Sequence, residues 1–170
     1  VIDCLAEDLG EDGLFKRVEK SNASIIAFRT STPTFLYDVS VAEKAEKACP
    51  SAKIIFFGPQ ASIFPEKFFD STAVDAIVTG EPDLVFAKIA RNGFAKAEGV
   101  WYRRGKKIVR NPPAKPIEEL DELPYPDWRL VPYGKYYLGE LVRNRTPFLT
   151  MLTSRGCPYG CIYCPYPVAQ

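Results

Sequence analysis

The sequence predicts an α/β fold in which a doubly wound parallel sheet is followed by a β-hairpin and a proline-rich linker. Over residues 1–92, short apolar runs alternate with segments whose apolar residues recur at the helical period. The runs are apolar almost throughout, as in parallel strands that are covered on both faces. They end in polar or glycine-containing segments. Of the 170 residues, 46% are hydrophobic and 25% charged, which is typical of a globular protein with a real core.

Residues 1–50 are predicted to contain two strands and two helices. The second helix carries an apolar stripe and ends before Pro50, which cannot continue a helix. The predicted bounds are the end of a strand at 1–6, a helix at 12–20 with Leu14, Phe15 and Val18 inward, a strand at 23–28 and a helix at 34–49.

The same unit then repeats. Gly93 is predicted to stop the last helix. The predicted bounds are a strand at 53–57, a loop at 58–62, a short helix at 65–69 that starts with proline, a strand at 73–78, a loop at 79–82 and a helix at 83–91.

A hairpin follows, with strands at 99–102 and 107–110 around a turn that contains Gly105. Four basic residues lie at this turn: Arg103, Arg104, Lys106 and Lys107. We interpret them as a solvated turn in preference to a phosphate-binding site. Residues 111–147 contain seven of the fifteen prolines and are predicted to be a linker draped over another surface. A strand is predicted at 148–153, leading into a cysteine-rich loop.

Charge and cysteine usage exclude several classes of function. The net charge of +1 and the scattered basic residues argue against a nucleic-acid partner. No apolar run approaches the roughly 20 residues that span a bilayer, and no signal-peptide pattern opens the chain. Five cysteines, an odd number, fit a reducing cytoplasm better than a disulfide framework. Cys4 and Cys49 are expected to be structural.

The remaining three thiols form the most specific motif. Cys157, Cys161 and Cys164 are spaced Cys-x3-Cys-x2-Cys, with glycine and proline between them for tight turns. Such thiolates hold iron-sulfur clusters, and three of them leave one iron of a four-iron cluster open to a substrate. The alternatives are a zinc loop, a disulfide or incidental cysteines. Zinc usually takes four protein ligands in a structural site, and the chain has no histidine and no nearby fourth cysteine.

The motif, with Tyr163 just before the third cysteine, resembles the signature of the radical S-adenosylmethionine superfamily. The resemblance implies a 4Fe-4S cluster on Cys157, Cys161 and Cys164, whose free iron chelates S-adenosylmethionine, with Tyr163 on the adenine side. It further implies a small-molecule substrate held by a barrel, and an electron donor such as a ferredoxin or flavodoxin.

Residues 57–66 (FGPQASIFPE) and 74–82 (VDAIVTGEP) resemble the cobalamin-binding, Rossmann-like domain that precedes the barrel in one class of these enzymes. The chain lacks the cobalt-ligating histidine of many cobalamin domains, which the radical enzymes commonly lack as well. The resemblance places cobalamin on the carboxyl edge of the sheet, against loops 30–33, 58–61 and 80–82. The implied contact residues are Thr30, Ser31, Thr32, Gly58, Pro59, Gln60, Ala61, Gly80, Glu81 and Pro82.

Two other interpretations of the first domain are open. In the first, Gly58 and Gly80 serve only to make strand-to-helix turns, which is a common use of glycine. A phosphoacceptor receiver domain shares the doubly wound plan, but it needs an acidic residue at a central strand end, where this chain has Thr30 and Gly58.

We therefore predict a cobalamin-binding-like domain at 1–92 without its first strand and helix, a hairpin and linker at 93–146, and the start of a radical-enzyme domain at 147–170. The resemblance implies an oxidative cyclase of a porphyrin ester or a carbon methyltransferase, and this fragment by itself is expected to be inactive. The alternative is a non-catalytic corrinoid-binding or interaction module with a metal-binding cysteine loop.

Overall fold

A computed structural model describes residues 1–136, 149–152 and 154–164. In them, five strands form one sheet: β1 (Ile25–Arg29), β2 (Lys53–Phe57), β3 (Ala76–Val78), β4 (Val100–Arg104) and β5 (Lys107–Arg110). Four α-helices accompany the sheet: α1 (Glu11–Ser21), α2 (Phe35–Ala48), α3 (Pro59–Ile63) and α4 (Pro82–Asn92). Short 3-10 helices lie at Thr32–Thr34, Pro65–Asp70, Phe94–Lys96, Leu120–Glu122, Trp128–Leu130 and Tyr133–Lys135.

The strands lie in the sheet in the order in which they occur in the chain, β1-β2-β3-β4-β5. The first three are parallel, with Phe28 opposite Phe56 and Ile55 opposite Ala76. The hairpin of β4 and β5 continues the same sheet, because β4 pairs antiparallel with β3. The predicted α/β class is confirmed, and the hairpin covers the edge of β3 that would otherwise be unpaired.

Two hydrophobic cores lie on opposite faces of the sheet. Alternate residues of β2 supply both, because Ile54 and Phe56 face one core and Ile55 the other. Helices α1, α2 and α3 cover the first core. In it, the centroid of the Phe56 ring lies 5.1 Å from the ring centroid of Phe28 and 5.0 Å from that of Phe68. Helix α4 and the hairpin close the second core.

Three local predictions are wrong. Residues 1–6 do not form a strand, because the Asp3 carboxylate accepts the Ala6 N–H at 3.0 Å and so stabilises a turn. The predicted loop 58–62 is mostly the short helix α3, which Pro59 starts. Strand β1 is not covered on both faces, since Ala27 is exposed.

After β5, the chain is extended and interrupted by single 3-10 turns up to Tyr136, in agreement with the predicted linker. Of the strand predicted at 148–153, residues 149–152 are described and have no strand structure, while 148 and 153 lie outside the described residues. Within the described ranges, we find no helix that is long and apolar enough to cross a membrane.

Candidate functional site

The carboxyl ends of the parallel strands bring the three predicted ligand loops to one edge of the sheet. Loop 30–32 is tied to loop 58–61 by the hydrogen bond from the Thr32 hydroxyl to the Gln60 side-chain oxygen, at 2.8 Å. The Gly80 N–H donates to the Ser62 hydroxyl at 3.0 Å and so joins loop 80–82 to α3. The edge is therefore one hydrogen-bonded surface built by loops of consecutive strands.

Gly58 is required by the close approach of two loops. Its φ is +104° and ψ is −175°, a region that is essentially restricted to glycine. A Cβ atom at this position would lie only 2.7 Å from the carbonyl oxygen of Thr30. The backbone conformation of the strand-to-helix turn and the contact with Thr30 are thus sufficient to explain why a glycine is present here, as the simpler interpretation holds. Gly80 also has a positive φ, of +75°.

Burial divides the predicted cobalamin contacts into two groups. The side chains of Thr30, Gln60 and Ala61 are buried, so they support the edge from beneath. The others are at least partly accessible: Ser31, Thr32, Gly58, Pro59, Gly80, Glu81 and Pro82. Small side chains and glycine backbone at an accessible edge fit a flat ligand, which needs close backbone approach.

The linker returns along this same edge. The Gly99 N–H donates to the carbonyl oxygen of Pro112 at 2.7 Å, and a Cβ atom on Gly99 would meet Ala114 at 2.9 Å. Farther along, the Ile117 N–H donates to the Glu81 carboxylate at 2.7 Å. The linker is thus fixed beside loop 80–82.

The cysteine loop is attached at this point by Arg155. One guanidinium nitrogen, Nη1, lies 3.1 Å from a carboxylate oxygen of Glu81 and 3.1 Å from one of Asp83. Partial burial opposes the charged form of Arg155, but the hydrogen bond to Glu81 and the negative charge of Asp83 outweigh it and raise the pKa of Arg155. The arginine therefore stays fully charged between the two carboxylates.

A cleft of about 230 Å³ lies where these segments meet. It is smaller than the roughly 300–1,000 Å³ of pockets that hold drug-sized ligands. Its walls come from loop 80–82, the linker and the start of the cysteine loop: Gly80, Glu81, Ala114, Lys115, Pro116, Ile117, Glu118, Leu120, Arg155 and Gly156. The cleft is too small for a corrinoid.

The cysteine loop itself is exposed. Cys157 and Cys161 are exposed, Cys164 is half-buried, and its N–H donates to the carbonyl oxygen of Cys161 at 3.0 Å in a tight turn. Among the described residues, no three cysteine or carboxylate side chains already converge as a metal site requires. The donor set still fits a cluster, since three thiols with no fourth partner match a four-iron cluster with one open iron. The Tyr163 side chain is exposed in the same turn.

The roles of Arg155 and Asp83 were not predicted from the sequence. Glu81 was predicted only as a ligand contact, and the structure also pairs this carboxylate with Arg155 and the linker. A signal was available, because an acidic pair at a strand end and a basic residue beside the cysteine motif are complementary in charge. Nothing in the sequence, however, showed that the linker would bring them together.

Comparisons with known proteins give the relatives of this chain. No protein-family model matches it. It is 31% identical to an uncharacterized methyltransferase of Pyrococcus horikoshii, over 96% of this chain and 36% of that protein. It is 25% identical to a cobalamin-dependent radical SAM methyltransferase of Streptomyces tokunonensis, over 84% of this chain and 22% of that protein. It is 32% identical to an anaerobic magnesium-protoporphyrin IX monomethyl ester cyclase of Synechocystis, over 68% of this chain and 23% of that protein.

The fold has a counterpart among solved structures. The radical S-adenosylmethionine methyltransferase TsrM from Kitasatospora setae matches with a TM-score of 0.52 and 14% identity, over 62% of this chain and 23% of that one. The chain thus spans between 22% and 36% of the length of these curated relatives. The resemblance inferred from the cysteine motif and the strand-end loops is confirmed, and the chain is a relative of the cobalamin-dependent radical S-adenosylmethionine enzymes.

Proposed function

We propose that this chain is part of a cobalamin-dependent radical S-adenosylmethionine enzyme of the cytoplasm that transfers a methyl group to a small molecule. The observation that carries the proposal is the Cys157, Cys161 and Cys164 motif, whose three thiols leave one iron of a cluster open. Methyl transfer is preferred over oxidative cyclisation because the relatives that match 96% and 84% of the chain are named methyltransferases, whereas the cyclase matches 68%.

The two halves of the chain have separate tasks in this proposal. Thiolates of the three cysteines bind the 4Fe-4S cluster, and Gly156, with a φ of +106°, lets the backbone turn into Cys157. The accessible edge at loops 30–32, 58–61 and 80–82 binds cobalamin through small residues and backbone. When bound, the cluster supplies an electron to S-adenosylmethionine, and cobalamin supplies a carrier for the methyl group. The electron for the cluster would come from a donor protein such as a ferredoxin or flavodoxin.

Anaerobic reconstitution with iron and sulfide tests the cluster. The wild-type chain should take up about four iron and four sulfide and show the broad visible absorption of a cubic cluster. Cys161→Ala should lose this absorption, because a ligand is missing. Cys4→Ala is the matched control and should keep it, since Cys4 lies outside the motif. Bound zinc, or no metal in the wild type, would support the alternative of a non-catalytic module.

Titration with hydroxocobalamin tests the edge separately. Thr32→Trp places a bulky ring on the accessible edge and should weaken binding at least about tenfold, a change of roughly 1.4 kcal/mol. Lys106→Trp is the control, because the hairpin turn lies at the opposite end of the sheet and this variant should bind as the wild type does. Equal weakening in both variants, or none in Thr32→Trp, would refute binding at this edge.

A further inference from the structure

We infer that Glu81, Asp83 and Arg155 form a clamp that holds the cysteine loop against the carboxyl edge of the sheet. The clamp rests on the proposed function, and it gives these three side chains a role as positioning residues for the metal-binding loop. Glu81 was expected to contact cobalamin. In the structure, its carboxylate contacts two other segments of this chain.

Glu81 uses both of its carboxylate oxygens for segments that are remote in sequence. Oε2 accepts the N–H of Ile117, 36 residues away, at 2.7 Å. Oε1 accepts the Arg155 guanidinium, 74 residues away, at 3.1 Å. One side chain therefore joins a strand-end loop, the linker and the cysteine loop.

The surroundings make this contact stronger than an ordinary surface ion pair. The Glu81 side chain is 14% exposed and that of Arg155 27% exposed, so water screens the pair only in part. Asp83 adds a second carboxylate to the same guanidinium nitrogen at 3.1 Å. Hydrogen bonds between ionised groups are roughly twice as strong as neutral ones.

The fixed end of the clamp is rigid, and the other end is close to the thiols. Glu81 immediately precedes α4, and Pro82 restrains the backbone at the first position of that helix. Arg155 lies two residues before Cys157, a distance of at most about 7 Å along the backbone. Burial of side chains contributes little to fixing the loop, because Tyr159, Ile162 and Tyr163 are exposed.

The clamp therefore sets where the cysteine loop lies relative to the proposed cobalamin edge, since loop 80–82 belongs to both. Two cofactors that act on one substrate need a fixed separation. A misplacement of about 1 Å can cost on the order of 100-fold in rate. Loss of the clamp should thus impair the reaction without removing the cluster ligands.

A double-mutant cycle in the full chain tests the clamp. Glu81→Gln and Arg155→Met remove the charges with little change in shape. Each should raise hydrogen exchange in residues 154–164 at least about tenfold. The double variant should not exceed Arg155→Met, because that variant already breaks the ion pairs with both Glu81 and Asp83. The control is Arg129→Met, which removes an arginine whose carboxylate partner, Asp127, lies on the same turn; exchange in residues 154–164 should be unchanged.

Two further measurements complete the test. Iron content should stay at the wild-type level in all clamp variants. The change that S-adenosylmethionine causes in the electron paramagnetic resonance spectrum of the reduced cluster should differ from that of the wild type. Unchanged exchange in both single variants, or additive effects in the double variant, would overturn the clamp. If Glu81→Gln fails to fold, Asp83→Asn gives the same test at a more exposed carboxylate. A wild type without cluster would instead refute the proposed function, and the exchange measurement would still decide on the clamp.

Discussion

Replacing Gly58 by alanine tests how the ligand edge is built. Gly58 and Gly93 share nearly the same backbone conformation, with φ/ψ of +104°/−175° and +73°/178°. Alanine in this region costs about 1–3 kcal/mol at either position. Their surroundings differ, because a Cβ atom on Gly58 would lie 2.7 Å from the Thr30 carbonyl oxygen, whereas one on Gly93 has no neighbour within 4 Å.

The collision at Gly58 should add to the backbone cost. The Thr30 backbone must move, which weakens the 2.9 Å hydrogen bond from its N–H to the carbonyl oxygen of Phe57. That bond contributes about 0.5–1.5 kcal/mol. We therefore expect Gly58→Ala to lower the free energy of unfolding by about 2–4 kcal/mol, which exceeds the cost of Gly93→Ala by about 1 kcal/mol.

Urea denaturation, followed by circular dichroism, measures the difference. With a slope of about 1–3 kcal/mol per molar urea, an extra 1 kcal/mol separates the two midpoints by roughly 0.3–1 M. Gly93→Ala is the matched control, since it carries the backbone strain without the collision. If Gly58→Ala is no less stable than Gly93→Ala, the reasoning about the close approach of the two loops is wrong.

Two further predictions concern the core and the first residues. Phe56→Ala should lower the free energy of unfolding by about 3–5 kcal/mol, because the ring is fully buried between two others; a loss below about 1 kcal/mol in urea denaturation would contradict this packing. The Asp3 carboxylate accepts hydrogen bonds from the N–H of Ala6 and, at 2.8 Å, from the hydroxyl of Tyr136, and both lower its pKa. The stability that Asp3 contributes should therefore be present above its unfolded pKa and be lost as pH falls through the lower folded pKa. Nuclear magnetic resonance titration of the Asp3 carboxyl group in wild type and Tyr136→Phe measures this, and an unchanged Asp3 pKa in the variant would count against the contact.

Sequence periodicity was sufficient for most elements of the fold. The strand at 53–57, the helix that Gly93 ends and the hairpin around Gly105 lie where they were predicted, with ends shifted by at most two residues. The cysteine motif was likewise identified from the spacing of its residues. These signals act within a few residues, because helix period, turn chemistry and metal-ligand spacing are local properties of the chain.

Contacts between distant segments were decided only by the tertiary structure. Residues 1–6 had the composition of a strand, yet local hydrogen bonds to Asp3 stabilise a turn there. Gln60 had the character of a surface residue, but it is buried where loops 30–32 and 58–61 meet. The contact of Glu81 with Arg155 depends on the path of the linker along the edge of the sheet. The sequence by itself thus determined most of the elements and supplied the prediction for the thiols. Tertiary structure decided which loops meet, because strand register and linker path bring together residues that no local pattern connects.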